Sequence, residues 1–166
     1  NKPPKYGNDN EYVDGVAREM LGYCADLVQS WEDSRHGHYS FCNLSQTVNI
    51  SHGEVCGATP DGRLAGETYC DNCSPTMGRD LMGPTATVKS VASIDQGRFH
   101  DGALFNLRFD PKGIQGEKGL DIIEGVIKTY FEEGGEHIQI NVVDDKTLRA
   151  AQQTPEKYKG LMVRVA

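Results

Sequence analysis

Along this chain the spacing of apolar residues switches repeatedly between helical and strand periods, and that alternation narrows the folds open to it. Val13, Val16, Met20, Cys24, Leu27 and Trp31 recur at threes and fours, one stripe of a helix reaching about Asp33, with Asn8 or Asp9 placed to cap its start. His36-Gly37-His38 ends it. Residues 41–51 then alternate, with Leu44, Gln46, Val48 and Ile50 on one side and Asn43, Ser45, Thr47, Asn49 and Ser51 on the other, which predicts a strand. A short helix follows from Thr85 to about Ile94, opened by Pro84, and then a strand from Leu104 to Phe109. Leu120, Ile123, Val126, Ile127, Tyr130 and Phe131 define a second amphipathic helix, followed by a strand from Ile138 to Val143. Asp144 or Asp145 caps a helix through about Gln152, Thr154-Pro155 is a cap before a first-turn proline, and residues 161–166 return to strand. Strands separated by helices pair in parallel through crossovers. The expected class is α/β, either an open sheet or an arc of a barrel.

Between the first strand and the next helix lies a glycine- and proline-rich stretch, residues 52–84, and a loop of that length is commonly functional or pinned by its neighbours. With 166 residues the chain is long enough for one domain, but an apolar fraction of 37% is low for a self-sufficient one. Asn1-Lys2-Pro3-Pro4 reads as mid-chain loop and the chain ends without a polar tail, so the sequence reads as a single segment, 1–166, of something longer. A net charge of −7 disfavours nucleic acid and anionic membrane as partners, since both attract basic surfaces. No apolar run is long enough to span a bilayer. Five cysteines without a secretory signal argue against a disulfide framework and for a reducing, cytoplasmic setting.

Few residues announce chemistry. His52, His100 and His137 are scattered over loops and strand edges and read as surface or packing histidines, so acid–base catalysis finds no support. Cys70-Asp71-Asn72-Cys73 is one tight pair, where structural zinc usually needs two. The aspartate between the thiols also opposes the low pKa of a redox motif, which leaves structural thiols as the default and no metal. Asn49, Asn106 and Asn141 each fall in an expected strand, where asparagine is disfavoured. Either local loops satisfy their amides, or they form a polar lining that orients a substrate.

Larger patterns carry a resemblance. Gly134-Gly135-Glu136-His137-Ile138-Gln139-Ile140-Asn141-Val142-Val143, then Thr154-Pro155-Glu156-Lys157-Tyr158, then Leu161-Met162-Val163-Arg164-Val165-Ala166 run in order. Upstream stand Pro4-Lys5-Tyr6-Gly7-Asn8-Asp9, Val48-Asn49-Ile50-Ser51-His52-Gly53, Gly57-Ala58-Thr59-Pro60-Asp61-Gly62-Arg63, Ser74-Pro75, Gly78-Arg79-Asp80 and Gly83-Pro84-Thr85-Ala86. Collinear at this spacing over nearly the whole chain, these resemble the C-terminal part of glycyl radical enzymes, in the dehydratase, decarboxylase and C–N lyase branch. In that family Arg-Val-Ala is followed at once by the glycine that stores the radical, and here the sequence stops one residue short. The cysteine loop, typically Gly-Cys-x-Glu-Pro, is also absent, so no catalytic residue is assigned.

The resemblance implies a ten-stranded α/β barrel, to which this chain contributes late strands of the second half. It implies a thiyl radical that abstracts a substrate hydrogen, with cleavage of C–O, C–N or C–C bonds, or radical addition, on a small polar or carboxylated substrate. Asn49, Asn106 and Asn141 would line that substrate's cavity, and Arg164, Val165 and Ala166 would aim the radical loop. The partners implied are the rest of the barrel, a radical S-adenosylmethionine activase that installs the glycyl radical, and a homodimer as one allowed assembly. The segment itself binds no cofactor and is expected to be inactive alone. Two other readings stand beside this one: a non-catalytic module, for activase docking or as a spare domain, and a zinc-binding domain through Cys70 and Cys73.

Overall fold

The computed structural model describes residues 3–159 and residue 161. Among the described residues the regular structure comprises five helices and a two-stranded parallel sheet: α1 (Glu11–Gln29), α2 (Val48–Val55), α3 (Pro84–Ala92), β1 (Phe105–Phe109), α4 (Gly116–Glu132), β2 (Ile138–Val142) and α5 (Asp145–Gln153). Three short 3-10 turns, Gln96–Arg98, Pro111–Ile114 and Pro155–Tyr158, link them. Phe105 pairs with Ile138 and Phe109 with Val142, so β1 and β2 lie in parallel as their helical connection requires.

Side chains alternate across a strand, and the register therefore gives this sheet two unlike faces. Phe105, Leu107 and Phe109, with Ile138 and Ile140 beside them, join the core formed with Val88 and Val91 of α3 and Val126 and Tyr130 of α4. Tyr130 is fully buried and its ring lies 5.4 Å from that of Phe105. Burial of one such side chain contributes about 1.5–3 kcal/mol. Asn106, Arg108, Gln139 and Asn141 occupy the opposite face.

Several expectations are corrected. The strand over 41–51 is not formed: Asn43 makes a single parallel bridge to Ala103, and residues 48–55 are helical. Tertiary partners decide this. Asn49 is turned inward to pair with residue 69, its carbonyl accepting from the Tyr69 amide at 3.1 Å, and Gly53 seats the helix so close to Glu67 and Thr68 that a Cβ would collide with their backbone. Helix α1 is capped by Asn10, whose side chain accepts from Val13 N, rather than by Asn8 or Asp9. Asn8 instead stitches loops together, donating to Arg79 O (2.8 Å) and accepting from Leu81 N (2.7 Å). The helix has the expected period, but its buried face carries Asp14 and Ala25, while Met20 and Trp31 of the apolar stripe are 60% and 64% exposed.

At α5 the cap is Asp144, accepting from Thr147 N. Thr154 does not cap the turn that follows; its hydroxyl bonds back to Ala150 O (3.0 Å) and closes α5. The strand expected at 161–166 lies outside the described residues, apart from Leu161.

Candidate functional site

The polar sheet face is held in place by the segment that carries the CxxC pair. Residues 70–75 run beside β1 and grip it through four hydrogen bonds. Cys73 N and Cys73 Sγ both donate to Leu104 O (3.1 and 2.6 Å), Asn106 N donates to Ser74 Oγ (3.1 Å), and Asn106 Nδ2 donates to Asp71 Oδ2. Asp71 receives further donors on its other oxygen, from Asn72 Nδ2 (2.6 Å) and Ser45 Oγ (3.4 Å). Asn72 adopts a left-handed backbone, φ 49°, which asparagine tolerates better than most residues. Asp71, Asn72, Cys73, Ser74 and Asn106 are all buried, and every bond in the cluster lies between chemically complementary groups.

Burial pushes the Cys73 thiol up to about 12, and burial raises that of Cys70 as well, so neither is a reactive thiolate at neutral pH. Among the described residues no three His, Cys, Asp or Glu side chains come together to hold a metal ion. His52, His100 and His137 are exposed and build no acid–base pair among the described residues.

Over the polar face opens a cavity of about 450 Å³, walled by Ser74, Met77, Asn106, Arg108, Asn141 and Arg149 among others. Two of the three candidate asparagines, Asn106 and Asn141, thus share one cavity. Asn49 does not: it lies in α2 and is joined to the cluster only through Ser45, whose hydroxyl is 3.5 Å from Asn49 Oδ1. Arg108 pairs with Asp145 at the rim (2.7 Å). Arg164, Val165 and Ala166 lie outside the described residues.

A second polar structure organises the glycine-rich loop. Arg63 is buried, donating from Nη1 to Glu67 O (2.6 Å) and Leu64 O (3.2 Å) and from Nη2 to Gly57 O, with its guanidinium 4.5 Å from the centre of the Tyr69 ring. The loop over 56–67 is therefore wrapped around one cation. Sequence reasoning singled out neither this role nor that of Asp71, which it weighed only as a charge opposing a thiol. The usable signal was an aspartate and a serine bracketing Asn72 and Cys73 directly ahead of Pro75.

Comparison with known proteins places the chain. A family profile described as "Glycine radical" matches residues 70–166, and the chain belongs to the glycyl radical enzymes. It is 42% identical over its whole length to trans-4-hydroxy-L-proline dehydratase of Clostridioides difficile, covering 21% of that protein. It is also 42% identical to indoleacetate decarboxylase of Tractidigestivibacter scatoligenes over 98% of its length and 19% of that protein. The solved structure of the C. difficile hydroxyproline dehydratase with trans-4-hydroxy-L-proline bound superposes with a TM-score of 0.93, covering 99% of this chain and 21% of that one. Glycerol-bound glycerol dehydratase of Clostridium butyricum gives 0.90 at 41% identity, over 98% and 21%. The chain thus spans about one fifth of the length of these relatives.

Proposed function

We propose that this chain is the C-terminal part of the barrel of a glycyl radical enzyme that cleaves C–O, C–N or C–C bonds in a small polar or carboxylated substrate. The carrying observation is the two-faced sheet: one face is packed apolar against α3 and α4, and the other presents the amides of Asn106 and Asn141, with the Arg108–Asp145 pair at the rim, to a cavity. Amides in such a wall can orient a substrate while a hydrogen atom moves. The relatives support the branch, since the names they carry include dehydratase, decarboxylase and lyase activities. In this reading the strands β1 and β2 are late strands of the barrel's second half. Asn106 and Asn141 line the substrate cavity, Asn49 supports it through Ser45, and Arg164, Val165 and Ala166 aim the radical loop. The stored glycyl radical, installed by a radical S-adenosylmethionine activase in the cytoplasm, would supply the unpaired electron that starts each turnover and is recovered at its end. The residues of this chain orient the substrate and keep water from it.

The test is anaerobic activation of the full-length polypeptide with such an activase, followed by electron paramagnetic resonance. A glycyl doublet together with loss of water, carbon dioxide or a heteroatom group from a substrate is expected. Absence of the doublet, under conditions where a known relative is activated, rejects the reading.

A further inference from the structure

Resting on the reading just given, we infer that Asp71 is a positioning residue that locks the Asn106 amide so that its carbonyl oxygen faces the cavity and accepts a hydrogen bond from a substrate hydroxyl. An asparagine amide can present either a donor or an acceptor, and the choice is set by what holds its other end. An ionised carboxylate only accepts, so the group it binds is Nδ2. Asp71 Oδ2 takes that bond, and its own orientation is fixed by Asn72 Nδ2 and Ser45 Oγ. The backbone of Asn106 is pinned separately, its N–H to Ser74 Oγ at 3.1 Å. Both ends of the residue are clamped by the same segment, with Asp71 6%, Ser74 3% and Asn106 6% exposed.

Asn106 nonetheless lines the cavity. Among the described residues no donor reaches its Oδ1, and that atom is absent from the buried oxygens without a partner. The atom shown to a ligand is therefore an acceptor. The rim carries both signs, Arg108 paired with Asp145 at 2.7 Å and Asp80 lining the same cavity as Arg149. The ligand class that matches is a small polar molecule with a hydroxyl to donate to that acceptor.

The experiment measures binding to the unactivated full-length protein, so it needs no radical and does not depend on turnover. Three probe pairs differ by one hydroxyl: trans-4-hydroxy-L-proline against L-proline, isethionate against ethanesulfonate, and glycerol against the propanediol lacking the central hydroxyl. In the wild type at least one hydroxylated member should bind about tenfold or more tighter than its partner, the worth of one satisfied hydrogen bond. Asp71→Asn frees the amide to flip and should bring that ratio to about one. The double exchange Asp71→Asn with Asn106→Asp restores a donor at 71 and an acceptor at 106, and should recover the ratio. If the ratio is unchanged in the single variant, or stays lost in a double variant that melts like the wild type, the inference is overturned. It is equally overturned if no probe pair is discriminated by the wild type. A protein that forms the glycyl doublet yet shows no hydroxyl preference would reject this inference alone, whereas failure of the doublet rejects the radical reading.

Discussion

Arg63 carries its charge into the protein without a carboxylate beside it among the described residues, held by the carbonyls of Gly57, Leu64 and Glu67. Hydrogen bonds from a charged donor are the stronger kind, and the planar fork cannot be copied by an ammonium. Arg63→Lys should therefore cost about 2–3 kcal/mol, read as a lowered denaturation midpoint with proteolytic nicking between 56 and 67. Asp14 poses the opposite problem. One oxygen accepts from Ser90 Oγ (2.9 Å), the other is buried without a partner, and burial raises the acid above the ordinary carboxylate range. With its folded pKa raised, its stabilising contribution is complete below the unfolded value and is lost as pH rises through the folded one. The melting temperature of the wild type should thus gain on that of Asp14→Asn as pH falls from about 7 toward about 4, and a constant difference would refute this. Neither residue was legible as a functional or structural centre in the sequence. A buried charge looks like any surface charge until the chain that covers it is in place.

At the scale of elements the sequence was readable wherever local signals and tertiary context agreed. The Asp144 cap, the strand from 105 to 109 and the parallel pairing all follow from local spacing. Asp144→Ala should fray the first turn of α5, seen as faster hydrogen exchange at Thr147, whose N–H is the donor to that carboxylate. Its acid is held below the ordinary range by that bond, so the cap's contribution is present at neutral pH and fades as pH falls through the lowered value. Residues 41–51 do not form the expected strand because their alternation is a property of eleven residues, while the outcome is set by Ser45 and Asn49 binding residues 69–72, twenty or more positions away. Helix α1 shows a related failure. Its period was correct, but period alone does not say which of two faces meets this core, and the small Ala25 with the Asp14–Ser90 bond chose the other one.

On the scale of the molecule, that choice leaves Tyr12, Val16, Met20, Tyr23, Leu27 and Trp31 in the open, alongside a sheet of two strands among the described residues. Exposed apolar patches and unpaired strand edges both drive association. The 166 residues expressed alone should therefore sediment as concentration-dependent oligomers, and Met20→Glu with Trp31→Glu should shift them toward monomer. A cooperative melt and a monomeric profile of the unaltered segment would contradict this. In the full-length polypeptide the same positions should be protected from surface labelling. The two-faced sheet has a further consequence, for how such a protein diversifies. Residues toward α3 and α4 answer to volume, and altering them unsettles the core. Arg108, Gln139 and Asn141 face the other way and fill no core space, so their exchange leaves the packing intact. On the proposed reading, selection for a new substrate acts on that one wall while the architecture is inherited unchanged.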